Sequence, residues 1–220
     1  MKKLILAGLL TLATLLNTSA AVYTINSGTI NLAIPDGNPN GVSSTLAVSV
    51  ADHQITGLRV TLNVSGGYNG DLYAYLSYGG VLVPLVNRIG VGSGNPFGAS
   101  GAGMNVTLTD GGALGDIHLA GNGVLSGTYE ADGRNINPLS AAAAFDSASR
   151  VNFSSYNSID PNGTWTLFFA DVSGGGGSST LNSWSLDVTA VPEPVTVALG
   201  MFAGLLLLTL TLRRGRSSLI

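Results

Sequence analysis

The chain has 220 residues, no cysteine, and nine Lys and Arg against twelve Asp and Glu. Without cysteine there is no disulfide, no thiolate metal site and no cysteine nucleophile. Five of the nine basic residues lie at the two ends, so residues 22–190 carry four arginines against eleven acidic side chains; with no basic cluster to neutralise phosphates, nucleic-acid binding is excluded.

The N-terminus reads as a targeting segment. Lys2 and Lys3 precede an apolar stretch at 4–16, and Thr18, Ser19, Ala20 and Ala21 supply the small residues a signal peptidase reads. Residues 1–21 are therefore expected to be a signal peptide cleaved after Ala20 or Ala21. The apolar stretch is too short for a comfortable membrane span. Residues 22–190 have the length of one domain with a core of its own.

Apolar residues in that domain recur every second position. Leu46, Val48 and Val50 begin the pattern; Leu58, Val60, Leu62 and Val64 continue it, as do Leu72, Ala74 and Leu76. It returns at Val81, Val83 and Leu85, at Met104, Val106 and Leu108, at Trp165, Leu167 and Phe169, and at Trp184, Leu186 and Val188. Period two with Gly, Asn, Asp and Ser clusters between segments predicts an all-β fold, an antiparallel jelly roll or β-sandwich. Residues 121–162 show little alternation and read as an elaborated loop, with a helical turn at 141–144.

The polar residues offer few chemical constellations. His53 and His118 are the only histidines, and neither belongs to a Gly-x-Ser-x-Gly elbow or a His-Glu-x-x-His pair, so no catalytic residue is assigned. Asp71, Asp110 and Asp171 sit in Gly-rich turns and are candidate oxygen ligands for calcium; the alternative is that each binds local amides as an Asx turn. No Asp-x-Asp-x-Asp-Gly loop is present. Tyr68, Tyr73, Tyr75 and Tyr78 could supply an aromatic platform for a sugar, or pack across strands. The triplets at Asn63, Asn105, Asn152 and Asn162 fit a glycosylation pattern that a chain rich in Asn, Ser and Thr also produces by chance.

Ile34-Pro35-Asp36, Ile55-Thr56-Gly57-Leu58-Arg59-Val60, Gly70-Asp71-Leu72, Asn162-Gly163-Thr164-Trp165-Thr166-Leu167 and Asn182-Ser183-Trp184-Ser185-Leu186 occur in an order that resembles the P domain (P/Homo B) of proprotein convertases. The resemblance covers residues 33–188. It implies an eight-stranded jelly roll of the kind that supports a subtilisin-like protease, and some such domains bind calcium. The chain has no room for the protease itself.

The tail has three parts. Val191, Pro192, Glu193 and Pro194 form a box; 195–212 is an apolar run; Arg213, Arg214 and Arg216 follow within 213–220. Eighteen helical residues span roughly 27 Å, enough for the hydrocarbon core, and the arginines place the far end in the cytoplasm. The box, run and basic end resemble the PEP-CTERM sorting signal of Gram-negative bacteria, which implies processing by an exosortase, often beside exopolysaccharide production. The alternative is a plain membrane anchor with prolines as helix breakers. The expectation is a non-enzymatic exported protein, tethered to the inner membrane by one transmembrane helix and then delivered to the cell surface or extracellular matrix. Its sandwich would bind or stabilise a partner such as exopolysaccharide or a surface protein. A carbohydrate-binding module and an accessory domain acting in trans on a protease are the competing readings.

Overall fold

A computed structural model describes residues 19–217, with the side chains of 194–197 and 211–217 outside the description. Ten strands form: β1 (Ala21–Asn26), β2 (Leu32–Ile34), β3 (Asn38–Val48), β4 (Gln54–Gly66), β5 (Leu72–Tyr78), β6 (Val81–Asn87), β7 (Met104–Thr109), β8 (Leu125–Tyr129), β9 (Gly163–Asp171) and β10 (Ser179–Val191). One helix, α1 (Pro194–Ser217), follows. The strands make a six-stranded sheet, β1-β10-β4-β7-β8 with β2 also on β10, and a four-stranded sheet, β3-β9-β5-β6.

Each alternating segment became a strand because its apolar face closes on the opposite sheet. Val60 and Leu62 of β4 and Leu186 and Val188 of β10 are fully buried from one side; Leu72, Ala74 and Leu76 of β5 and Trp165 of β9 are fully buried from the other. Each large side chain removed from water in this way contributes about 1.5–3 kcal/mol. The polar neighbours face outward, so a one-residue slip in register would turn the core face of a strand to solvent.

The expectation of a purely antiparallel sandwich is corrected at β8, which pairs parallel to β7. A parallel partner cannot be reached by a tight hairpin; the intervening residues 110–124 turn through a 3-10 helix at Ile117–Leu119 before β8 begins. The 121–162 region accordingly holds a strand as well as 3-10 turns at Ala142–Ser147 and Phe153–Tyr156, the first of them over the expected helical turn.

Residues 1–18, within the segment expected to be a signal peptide, lie outside the described residues. Helix α1 covers the expected span 195–212. Among the described residues, no helix is long and apolar enough to cross a membrane.

Candidate functional site

The two expected processing points meet at one end of the sandwich. Ala21 opens β1 opposite Ala190 of β10, and β10 ends one residue later, with Val191 opposite Gln54 of β4. Ala20 precedes the first rung and is exposed. Pro192 and Glu193 occupy the unpaired chain between the last rung and α1, and Glu193 is exposed. Pro194 opens the helix, where its missing N–H costs nothing because the first turn has no acceptor for it. Arg213, Arg214 and Arg216 fall in the last turns of α1, with side chains outside the description.

The three aspartates proposed as a calcium set are not brought together. Asp110 accepts from the amides of Phe153 (3.0 Å) and Ser154 (2.8 Å), which fixes the start of the 3-10 turn at Phe153–Tyr156; this is the capping role of an Asx side chain. Among the described residues, no group of three or more His, Asp or Glu side chains is arranged to hold a metal ion.

Asp71 and Asp171 do come together. Asp71 closes a 3-10 turn, Asn69–Asp71, which is anchored by Asn69 N–H to the Gly101 carbonyl (2.7 Å) and Gly70 N–H to the Ala99 carbonyl (3.0 Å). Asp171 ends β9 opposite Leu72, and the Val172 amide donates to the Asp71 carbonyl at 2.9 Å. Asp36 joins the group from the other side, accepting from the Gly175 amide at 3.3 Å. The 174–177 loop closes over Asp71, so that a Cβ on Gly176 would stand 2.9 Å from Asp71 Oδ2 and 2.5 Å from Tyr68 Cβ. Asp171 is fully buried; its Oδ1 accepts from the Ser173 amide at 3.3 Å, and its Oδ2 has no hydrogen-bond partner. Burial, and next the charge of Asp171, push the Asp71 carboxyl up to about 6; burial likewise raises Asp171. Two crowded carboxyls with an orphaned oxygen favour positive charge from a proton or a hard cation.

The tyrosines divide into two groups. Tyr73 and Tyr75 share a face of β5 with Phe168 of β9; Tyr75 stacks on Phe168 at 4.8 Å and 15°, and Tyr73 meets Phe168 edge-on at 6.2 Å. Cross-strand stacking turns the Tyr75 and Phe168 faces toward each other, whereas a sugar platform needs an open face. Tyr68 donates to the Gly98 carbonyl at 3.4 Å, and Tyr78 donates to the carbonyls of Asp160 (2.7 Å) and Asn162 (2.8 Å). Both are tied into loops at the edges of the sandwich.

Among the described residues, neither histidine ring is hydrogen-bonded to a serine. His53 pairs through Nδ1 with Asp160 at 2.9 Å on the surface, and hydrogen bonding to Asp160 raises its pKa. His118 is buried, with Nδ1 2.8 Å from Asp132 Oδ2, Nε2 2.8 Å from the Val91 carbonyl, and its ring stacked on Phe145. Sequence reading missed the network around it. Asp132 also accepts from the amides of Asn87 and Arg134, and Arg134 Nη1 bridges Asp116 (2.8 Å) and Asp132 (3.2 Å). Burial opposes the Arg134 charge, but the two carboxylates overcome it and hold its pKa above the ordinary value. The only sequence signal was Asp132-Gly133, which reads as an ordinary turn.

No protein-family model matches the chain, and no curated protein does. The solved structures that align with it include two of a serine protease. One is the Aeromonas sobria serine protease in complex with the chaperone, at TM-score 0.43 and 16% identity over 84% of this chain and 29% of that one. The other is the serine protease of Aeromonas sobria, at TM-score 0.41 and 15% identity over 82% and 29%. The chain spans less than a third of the length of either.

Proposed function

We propose that the protein is a non-enzymatic, exported surface or matrix module, whose sandwich is released from a PEP-CTERM-type tail by an exosortase. The observation that carries this reading is the rung between Ala21 and Ala190. It completes the sandwich between the signal-peptidase point and the box, so both cuts leave the folded module essentially whole. Cleavage after Ala20 keeps β1 entire. Pro192 and Glu193 lie outside the ladder, where a protease can take the chain in extended form. In this reading, the apolar run 195–212, which extends beyond the residues whose side chains are described, is the transient membrane segment, and Arg213, Arg214 and Arg216 hold its end in the cytoplasm. Mass spectrometry of the mature protein from its native surface is expected to give an N-terminus at Ala21 or Val22 and a C-terminus within residues 192–194. A C-terminus at Ile220 would reject processing.

The carboxyl pair is the place at which calcium would act on this module. Asp71 and Asp171 would hold the ion as a pair, with backbone carbonyls or water completing an oxygen set, and the ion would supply the positive charge that the orphaned Asp171 oxygen lacks. Without metal, the raised Asp71 carboxyl means that the folded state binds more protons than the unfolded chain between pH 3.8 and about 6. Stability contributed by this pair is therefore present below that window and falls as pH rises through it. In EDTA at pH 7, Asp71→Asn is expected to stabilise the protein by on the order of 2 kcal/mol. Millimolar calcium should raise the wild-type Tm and leave the variant nearly unmoved. A wild-type Tm in EDTA that does not fall between pH 4 and 6.5 would dismiss the proton-sharing pair, and a wild-type Tm indifferent to calcium would dismiss the cation.

A further inference from the structure

The outer face of the larger sheet carries a regular polar lattice. Asn26, Ser185, Thr61, Thr107 and Thr128 lie in one continuous rung across β1, β10, β4, β7 and β8. The neighbouring rung on the same face is Ser183, Asn63, Asn105 and Ser126. Adjacent strands stand about 4.8 Å apart, so hydroxyls and amides repeat at that interval across the sheet.

A cavity of about 390 Å³ opens where these rungs meet the chain leaving β1. Its floor is Thr61, Asn63, Asn105, Ser183, Trp184 and Ser185, and its wall is Asn26, Gly28 and Thr29; the Trp184 side chain itself is buried, its indole N–H donating to Ser44 Oγ at 2.9 Å. Some of the floor is satisfied internally: Thr61 Oγ1 and Thr107 Oγ1 are 3.1 Å apart, and Asn63 Oδ1 accepts from Asn182 Nδ2 at 2.9 Å. Among the described residues, the side chains of Asn26, Thr29, Asn105, Ser183 and Ser185 make no hydrogen bond within the chain. The groove thus offers free donors and acceptors held on rigid strands.

We infer that this groove binds a neutral polysaccharide chain. No charged side chain lines it, so an anionic or cationic ligand finds no counter-charge; the closest charges on the face, Arg59 and Asp187, are opposite in sign and face each other across one rung. A protein partner would need apolar or aromatic anchors at the centre of its footprint. The floor offers a ligand only Ser, Thr and Asn side chains, because the Trp184 indole is buried and bonded to Ser44. A polyhydroxylated polymer matches both properties, exchanging water for paired hydroxyl and amide contacts along the rungs, in a cavity within the usual range for ligand sites. This assignment moves the sugar site from the Tyr73 and Tyr75 ladder to the opposite sheet. It stands apart from the sorting proposal, because binding is measured on the chain whether or not its tail is cut.

The test is isothermal titration of the full chain, in a polyoxyethylene detergent free of sugar, with neutral β-1,4-glucan, β-1,3-glucan and α-1,6-glucan oligosaccharides, and with alginate as a polyanionic control. Saturable binding to at least one neutral glucan and none to alginate is expected. Asn105→Ala with Ser183→Ala should weaken it about tenfold, the loss of two polar contacts. Asn26→Ala with Thr29→Ala, at the wall, should act in the same direction if the first pair perturbs folding, as judged by Tm. Tyr73→Ala with Tyr75→Ala should leave affinity unchanged. Absence of binding to every neutral glucan, equal binding of alginate, or unchanged affinity in folded groove variants would overturn the inference.

Discussion

Asp132→Ala is expected to lower stability by about 3–5 kcal/mol, the cost of stranding buried charged and polar partners. The Asp132 carboxylate is fully buried and works on three chain segments at once. Its Oδ2 accepts from the Asn87 amide at 3.0 Å and lies 2.8 Å from His118 Nδ1; its Oδ1 accepts from Arg134 N–H at 3.3 Å and from Arg134 Nη1 at 3.2 Å. Both neighbours of the His118 ring are acceptors, since Nε2 faces the Val91 carbonyl. Alanine would leave His118 Nδ1 and the Asn87 and Arg134 amides without this acceptor, while His118 Nε2 keeps the Val91 carbonyl and Arg134 Nη1 keeps Asp116. Asp132→Asn keeps the shape and one acceptor oxygen, so its loss should be smaller than that of alanine. Urea unfolding followed by tryptophan fluorescence measures both. An Asp132→Ala loss below about 1 kcal/mol would show that water or rearranged side chains replace the carboxylate with little penalty.

The sandwich was legible wherever one face of a strand is buried and the other wet. β4 and β10 show this most plainly: Leu58, Val60 and Leu62 alternate with Arg59 and Thr61, and burial follows the same rhythm. β8 was not legible, because only Leu125 of its five residues is buried and Gly127, at φ 108°, reads as a turn. β2 has three residues, too short for a period to show. β1 was hidden for another reason: Ala21 looked like the end of a cleavage motif and is also the first rung of the sheet.

The site was less legible, because sequence spacing says nothing about which turns meet. Asp71 and Asp171 are distant in the chain yet adjacent in the fold, since β5 and β9 are neighbouring strands. Asp110 had the same Gly-rich surroundings and serves a backbone turn instead. The polar groove has no local signature at all. Its Ser, Thr and Asn residues are the outward half of strands whose inward half carried the fold prediction.

Trp165→Ala should be nearly as damaging as the loss of Asp132, at about 3–5 kcal/mol, but by a different route. Trp165 is fully buried in β9 opposite Leu46 of β3. Tyr78 stacks on it at 4.1 Å and 13°, Tyr156 packs at 5.1 Å, and its indole N–H donates to the Pro161 carbonyl at 2.9 Å. Those partners are themselves fixed: Tyr156 donates to the Leu76 carbonyl at 2.7 Å, and Asn162 Oδ1 accepts from the Val50 amide at 2.6 Å. Removing the indole empties the space between two rings and releases the 160–163 turn from β9. Trp165→Phe preserves part of the stack and strands only the Pro161 carbonyl, so it should cost about 1–3 kcal/mol. The ordering Ala well above Phe, read from denaturation midpoints at equal m, would identify packing as the main contribution. Equal losses for the two variants would instead place most of the energy in the indole N–H bond, and the stacked rings would then be a consequence of the fold rather than a support for it.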